Sequence, residues 1–550
     1  MQDRHHELSS ERPRLPELHG CRSVPRSRQR HCLTRAALTL LGACSLLSSA
    51  VASAEPAVVA QAVAAPAPPA PTRPTPRYEA GSTTFCVVDY KRGFDEAGGV
   101  SGGRRVIVVE AWYPIDPAVA ERQPLGKYGD YFAGDRELLE RTQRTLMQRS
   151  GVAAAAIESN LELARAQFDL VRGSHRNAPL ARSRKPFPLV IYSHGTLQQR
   201  FSNDSLAEHL ARNGYVVLAP EHTGNDSLAP LGTFCAAELA RSGVKPASLA
   251  SNPNFDAARG EYAGQRLEPF FVTNAARPEE GTISPAEVAL TLDRVGDYRA
   301  VLAAARRRYR GRVLVRPRSV GLIGYSRGAM HGLVGAELLP EIGASALLVG
   351  GTPLAFYARD PQAAPINAAL ARVSRGKRRV LDHLTKPVLE IIGGEDSRRK
   401  STSDVAATIG VYPKPTAENP SPMVAHDLAQ LDEGVFGAMV KVGRLEHADL
   451  VDDPFVVAYR APEGEKRPGA FDPAVPYVSR PLAERQAIRD HFILALFERF
   501  IAPRSARSRN DAALREPLPN PFSENGVLVQ TNLPGSQTAR NGGTTDPSRR

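Results

Sequence analysis

Cysteine is scarce in this chain, with five among 550 residues, at positions 21, 32, 44, 86 and 235. That excludes a disulfide-dense scaffold. Aromatic residues make up 6% with a single Trp, and no basic stripe interleaved with aromatics appears, so a nucleic-acid partner is not expected. His, Cys, Asp and Glu never fall at zinc or calcium spacings, so no metal site is expected. No internal apolar run is long and clean enough to span a membrane. Even the net charge of +12 belongs largely to the ends: residues 1–35 carry eight Arg against four acids and residues 503–550 seven against four, which is +7 of the total. The rest reads as spread over a large body.

What remains has the composition of a soluble globular protein, 42% hydrophobic and 23% charged. The length permits several domains or one α/β fold with insertions. An Arg-rich lead ends at Arg35, and Ala36–Ala54 then has the apolar core and small-residue end of a secretory signal, with cleavage expected after Ala52-Ser53-Ala54. Leu41-Gly42-Ala43-Cys44 is a competing lipoprotein box, in which Cys44 would carry lipid. The apolar run continues past Cys44 and so favours the first reading; an uncleaved anchor helix is the third. The lead is long for a signal, and translation starting downstream of Met1 would shorten it. The expected location is therefore periplasmic or secreted, with membrane association only through a lipidated Cys44. Cleavage would leave Cys86 and Cys235, either as a disulfide or as two buried thiols.

Residues 55–78, rich in Ala and Pro, read as a linker. The body is expected over 79–503, with insertions at 120–180, 221–285 and 397–437, and 504–550 reads as a disordered tail. Within the body, Thr83–Tyr90 and Arg104–Ile115 predict an antiparallel pair. Lys127–Val171 predicts surface-packed helix. Phe187–Ser193, Tyr215–Pro220, Ser319–Ile323, Ala344–Gly350, Pro387–Gly393 and Ala438–Val442 read as buried strands, the last of them the final strand. Helices are expected at Leu206–Arg212, Ala286–Arg308, Ala329–Leu339 and Leu482–Ile501. Buried strands alternating with helices predict a mostly parallel sheet covered on both faces. Glu221–Pro285 is too long for a plain connection and reads as a lid or binding loop.

Gly324-Tyr325-Ser326-Arg327-Gly328 sits between a strand and a helix, the GxSxG pattern of a nucleophile elbow. Glycines at its ends let strand and helix pack closely, and the serine oxygen is held out at a helix N-terminus beside free N–H groups. Ser326 is thus the candidate nucleophile. Asp396, after the Pro387–Gly393 strand, is the candidate acid, with Glu395 its neighbouring rival. His447, after the last strand, is the candidate base, and His383, His426 and His491 are rivals that close no strand. The backbone N–H groups of Thr196 and Arg327 are candidate oxyanion donors. His194 is expected to shape that loop, whereas His222 and Asp226 read as loop residues. An acid following the preceding strand would sit at Gly350, and Gly350-Gly351 leaves that place empty.

Ala111-Trp112-Tyr113-Pro114, Pro188–Thr196, Leu206–Ala211 with Gly214–Val217, the serine pentapeptide and Leu445-Glu446-His447 together resemble bacterial relatives of platelet-activating-factor acetylhydrolase. The broader kin are dienelactone-hydrolase-like proteins and polyester hydrolases. The resemblance covers most of residues 104–450. It implies an α/β-hydrolase fold and hydrolysis of a small-molecule or lipid ester through an acyl-enzyme, without a cofactor. Three departures argue against carrying over a phospholipid preference: Ala329 stands for the family's second glycine, Thr196 for a larger apolar residue, and the acid follows the seventh strand of the body, as in polyester hydrolases. A peptidase or amidase on the same fold, or a non-catalytic envelope binding protein, would share much of this pattern.

Overall fold

The apolar runs form the centre of one sheet in a computed structural model that describes residues 76–100, 102–244, 249, 251–263, 270–272, 281–351, 354–408, 412–417, 419–460, 464–502, 507–515 and 526–532. The signal, Cys44 and residues 55–75 of the linker lie outside the described residues. The strands are β1 (Glu79–Asp89), β2 (Arg105–Ile115), β3 (Ser174–Arg176), β4 (Phe187–Ser193), β5 (Val216–Pro220), β6 (Val320–Tyr325), β7 (Ile342–Leu348), β8 (Val388–Gly393), β9 (Gly437–Val442) and β10 (Val527–Thr531). Their order is β10-β9-β8-β7-β6-β4-β5-β2-β1-β3. From β5 to β9 every pairing is parallel, and antiparallel partners bound that block: β2 beside β5, and β10 beside β9. β1 and β2 pair antiparallel from Glu79 with Ile115 to Asp89 with Arg105. The chain leaves β4 for β5 on one side and returns to β6 on the other. Loops following β4 and β6 therefore diverge and leave a crevice at the carboxyl ends of the strands.

Helices cover both faces, because β4 to β8 are almost wholly apolar and must be buried on each side. On one face lie α5 (Pro285–Arg308) and α6 (Arg327–Leu338), which pack Val295, Val301, Leu333 and Val334 against Leu189, Leu218 and Leu322. The other face takes α1 (Arg136–Arg149), α2 (Ala154–Gln167), α3 (Asp204–Arg212) and α7 (Leu482–Phe500). Asp135 starts α1 by accepting the N–H groups of Glu137 and Leu138 at 2.8 and 3.2 Å. Phe492, Ile493, Leu496 and Phe497 of α7 are fully buried, each stabilising the fold by roughly 2 to 3 kcal/mol.

Several sequence-based expectations change here. The 120–180 insertion is not a surface addition: Leu138, Leu139, Leu146, Ile157 and Leu161 join the same apolar cluster as Val190 and Ile323, and β3 extends the sheet. Residues 221–285, read as an irregular lid or binding loop, hold α4 (Leu231–Arg241) and a small sheet of Ala229–Pro230, Glu261–Tyr262 and Phe255–Asp256. The 397–437 insertion holds helices at Ser397–Thr408 and Pro422–Ala429. The tail read as disordered contains α8 (Arg507–Arg515) and β10, so β9 is not the final strand. In β10 alternate residues are buried, Val527 and Val529 against the core, a period too short to stand out amid polar sequence. The charge of the body is also not evenly spread. Pairing of Val313–Leu314 with Phe187–Pro188 sets Arg182, Arg184 and Lys185 beside the exposed arginines of 306–318, at the end of the sheet opposite the crevice.

Cys86 of β1 and Cys235 of α4 form a disulfide with Cα atoms 5.6 Å apart, across 149 residues of sequence. It ties the 221–285 segment to the sheet. Replacing Cys235 with Ser should lower the unfolding free energy by about 2 to 4 kcal/mol, read as an earlier urea midpoint. Peptide mapping without reductant should recover the two cysteines linked; two alkylatable thiols would count against it.

Candidate functional site

Strand geometry brings the site together. β6 ends at Tyr325, and Ser326 caps α6 at φ 54°, ψ −123°, a conformation that a residue with a side chain avoids unless its surroundings dictate it. Its surroundings do. A Cβ at Gly324 would lie 2.4 Å from the Gly328 carbonyl oxygen, and one at Gly328 would lie 2.3 and 2.5 Å from the carbonyl oxygens of Ser193 and His194. Only glycine fits at either end of the pentapeptide, as its spacing predicted.

The three candidate side chains meet. His447 Nε2 lies 2.8 Å from Ser326 Oγ, and His447 Nδ1 lies 3.1 and 3.2 Å from the two oxygens of Asp396. Asp396 is buried and His447 nearly so, which weakens competition from water. With the carboxylate accepting from Nδ1–H, the Nε2 lone pair is left facing the serine hydroxyl. Glu395 does not take this place; its carboxylate accepts the Arg444 N–H at 3.4 Å. The rival histidines are engaged elsewhere: His383 with Asp382, His426 against Tyr412, and His491 against Phe492.

Two supports of His447 were not evident from sequence. The Tyr325 hydroxyl donates to the His447 carbonyl at 2.8 Å. Glu446 accepts the Ser397 N–H at 3.0 Å, the Ser397 hydroxyl and the His447 N–H, so one carboxylate clamps the histidine turn to the residue after Asp396. Burial, reinforced by the Asp396 charge, raises the Glu446 carboxyl above its ordinary range. An acidic residue directly before the histidine, facing Ser after Asp396, was the available signal.

Thr196, the sequence-predicted oxyanion donor, follows β4 in a loop that borders the elbow, and Leu197 behind it has φ 58°. Arg327, the other, is the first residue of α6. The Arg327 guanidinium turns inward to Glu287 at 3.4 Å, so the peptide N–H is the part of this residue available to an oxyanion. Arg200 secures the far side of the Thr196 loop, bonding Glu221 at 3.0 Å and Glu110 at 3.2 Å, all buried. Burial pushes Glu221 up to about 7 against the pull of Arg200. His222 and Asp226 lie in the loop after β5, as read, and are fully buried there. Among the described residues no group of three or more His, Cys, Asp or Glu is placed to hold a metal ion, and no helix is long and apolar enough to cross a membrane.

The position of Asp396 has a steric cause. A Cβ at Gly350, just beyond β7, would lie 2.0 Å from the Ala329 methyl. Ala329 thus fills the space in which an aspartate at 350 would need its Cβ, and the carboxylate comes from the end of β8.

Sheet order and serine elbow together define an α/β-hydrolase fold. Residues 152–249 match the family model described as platelet-activating factor acetylhydrolase, isoform II. The match is a similarity to that family over this segment alone. The matched segment runs from before α2 past the end of α4 and includes Thr196. No curated protein matches the chain. A solved structure, a ferulic acid esterase from Streptomyces cinnamoneus, aligns with 19% identity over 84% of this chain and 98% of its own, with a TM-score of 0.45.

Two outcomes follow from the site's packing. Gly350→Ala should destabilise the protein by about 1 to 3 kcal/mol, and adding Ala329→Gly should recover most of that loss, as thermal melts of the three variants would read. Glu221 carries a raised carboxyl, so its contribution to stability is full below the ordinary carboxylate range and is lost as pH rises through about 7. Glu221→Gln should therefore flatten the fall in urea midpoint over that window; an unchanged slope would assign it to other groups.

Proposed function

We propose that the protein is a serine hydrolase that cleaves carboxylic esters through an acyl-enzyme, with Ser326, His447 and Asp396 as the catalytic residues. The observation that carries this reading is the 2.8 Å contact from His447 Nε2 to Ser326 Oγ, backed by the buried Asp396. Ser326 Oγ attacks the ester carbonyl while His447 takes its proton at Nε2. Asp396 stabilises the imidazolium that forms and holds its orientation. The tetrahedral oxyanion is received by the N–H groups of Thr196 and Arg327, each such donor being worth about 3 kcal/mol of barrier. His447 returns the proton to the leaving alcohol, and a water activated by the same nitrogen releases the acid.

Small-molecule esters are the substrate class we favour, in keeping with the matched family. We further propose that the protein is exported and acts in the periplasm or outside the cell; the Cys86–Cys235 bridge supports this, since such bonds persist in oxidising compartments.

Ser326→Ala should reduce kcat on short p-nitrophenyl esters by about 10⁴-fold or more with little change in folding, and Asp396→Asn by a comparable factor. A fluorophosphonate should label the wild type at Ser326. Turnover retained by the folded Ser326→Ala protein would refute the assignment.

A further inference from the structure

Behind the Thr196 loop, α5 presents Arg294, Asp297 and Tyr298, which share one face of the helix and are all fully buried. The Tyr298 hydroxyl donates to Ser193 Oγ at 2.7 Å, Ser193 Oγ lies 3.0 Å from His222 Nε2, and His222 Nδ1 lies 2.9 Å from Asp297. This is a second Ser–His–Asp contact, but every member is buried and none can meet a substrate. Its effect is to fix hydrogen-bond direction. Burial holds His222 down at about 3, so the ring is neutral, donates from Nδ1 to Asp297 and accepts from Ser193 at Nε2.

Arg294 connects this network to the chemistry. One of its terminal nitrogens donates to the His194 carbonyl at 2.5 Å, and the other bonds Asn225 and reaches the Gly195 carbonyl at 3.5 Å. His194 Nδ1 lies 2.7 Å from that same Gly195 oxygen, and His194 Nε2 accepts the His222 N–H at 3.3 Å. The Gly195 carbonyl is thereby held toward the interior. A trans peptide is planar with its C=O and N–H opposed, so the Thr196 N–H of the same unit is turned outward, where the loop borders the elbow.

The nearby carboxylates are engaged by other groups, Asp297 by the cations Arg92 and Arg105 at 2.6 Å each and Glu287 by Arg327 and the His331 ring. Burial lowers Arg294 only to about 10, so it remains a cation at neutral pH. Its donors go to these two peptide carbonyls, to Asn225 and, at 3.3 Å, to Ser193 Oγ. We propose that Arg294 is a positioning residue for the hydrolysis: by gripping the His194 and Gly195 carbonyls it aims the Thr196 N–H at the oxyanion and polarises that peptide toward it. A cation at the carbonyl end and an oxyanion at the N–H end align with the peptide dipole, and in a dry interior such polarisation is strengthened. This inference rests on the Ser326 reading above.

Arg294→Met, which keeps the apolar stem, should lower kcat on p-nitrophenyl butyrate by about 10²-fold with KM within about twofold. Arg294→Lys, whose single ammonium cannot span both carbonyls, should lose about tenfold, and it serves if the Met variant does not fold. A trifluoromethyl ketone, which becomes a tetrahedral oxyanion on Ser326, should weaken in step with kcat/KM, while butyrate as a ground-state ligand should bind as in the wild type; a merely structural loss would weaken both alike. Wild-type kcat in a folded Arg294 variant, or equal weakening of both ligands, overturns the proposal while leaving Ser326 in place. Turnover retained by Ser326→Ala overturns both.

Discussion

The carbonyl groups of Ser193 and His194 leave no room for a side chain at residue 328, and this contact governs the geometry around Ser326. A Cβ there would stand 2.3 and 2.5 Å from those oxygens. The end of β4 and the start of α6 are therefore pressed together, backbone on backbone. Holding Ser326 at φ 54° costs on the order of 1 to 3 kcal/mol. The cost is met by the sheet on either side: Ser326 N–H is held by the Leu348 carbonyl at 2.9 Å, and β6 is laddered to both β4 and β7. Because one interface carries both Ser326 and the Thr196 loop, neither can shift without the other.

That shared interface explains why so much charge lies buried nearby. Removing ions from water is expensive unless each finds partners. Here Arg200 meets Glu110 and Glu221, and Asp297 meets Arg92, Arg105 and His222. A network of this kind gains less in net stability than it gains in uniqueness of orientation. Orientation is what a site that must receive charge at one point requires, since dipoles already aligned need not reorganise during the reaction.

The parts of this design that were legible in the sequence are those set by local pattern. Continuous apolar strands such as Phe187–Ser193 announced a doubly covered sheet, and glycines at 324 and 328 around Ser326 announced the elbow. Asp396 and His447 were singled out because each follows a predicted strand, and the structure brings both to Ser326. What escaped was set by distant packing. β10 draws its stability from pairing with β9, 85 or more residues earlier in sequence by numbering, and its own five residues carry only two buried valines. Leu138 and Leu161 looked like one face of surface helices because periodicity shows that a face is apolar, not what covers it. Arg294 on α5 resembled any solvated arginine of an Arg-rich helix; only the position of the β4 end shows that it faces inward. The basic end of the sheet was likewise invisible, since 182–185 and 306–318 become neighbours through a strand pairing of two residues.

Ala329 illustrates how one methyl can decide which strand end supplies a carboxylate. With that methyl against residue 350, an acid after β7 has no space for its Cβ, and glycine there is a steric necessity. The carboxylate must then reach His447 from β8, one strand closer to β9, whose following turn carries the histidine. Asp396 and His447 consequently sit on loops of adjacent parallel strands, and a short direct clamp between those loops becomes possible. Glu446 with Ser397 is that clamp. A histidine approached from β7 would need its support to cross β8, so the methyl at 329 and the carboxylate at 446 belong to one solution of the same packing problem.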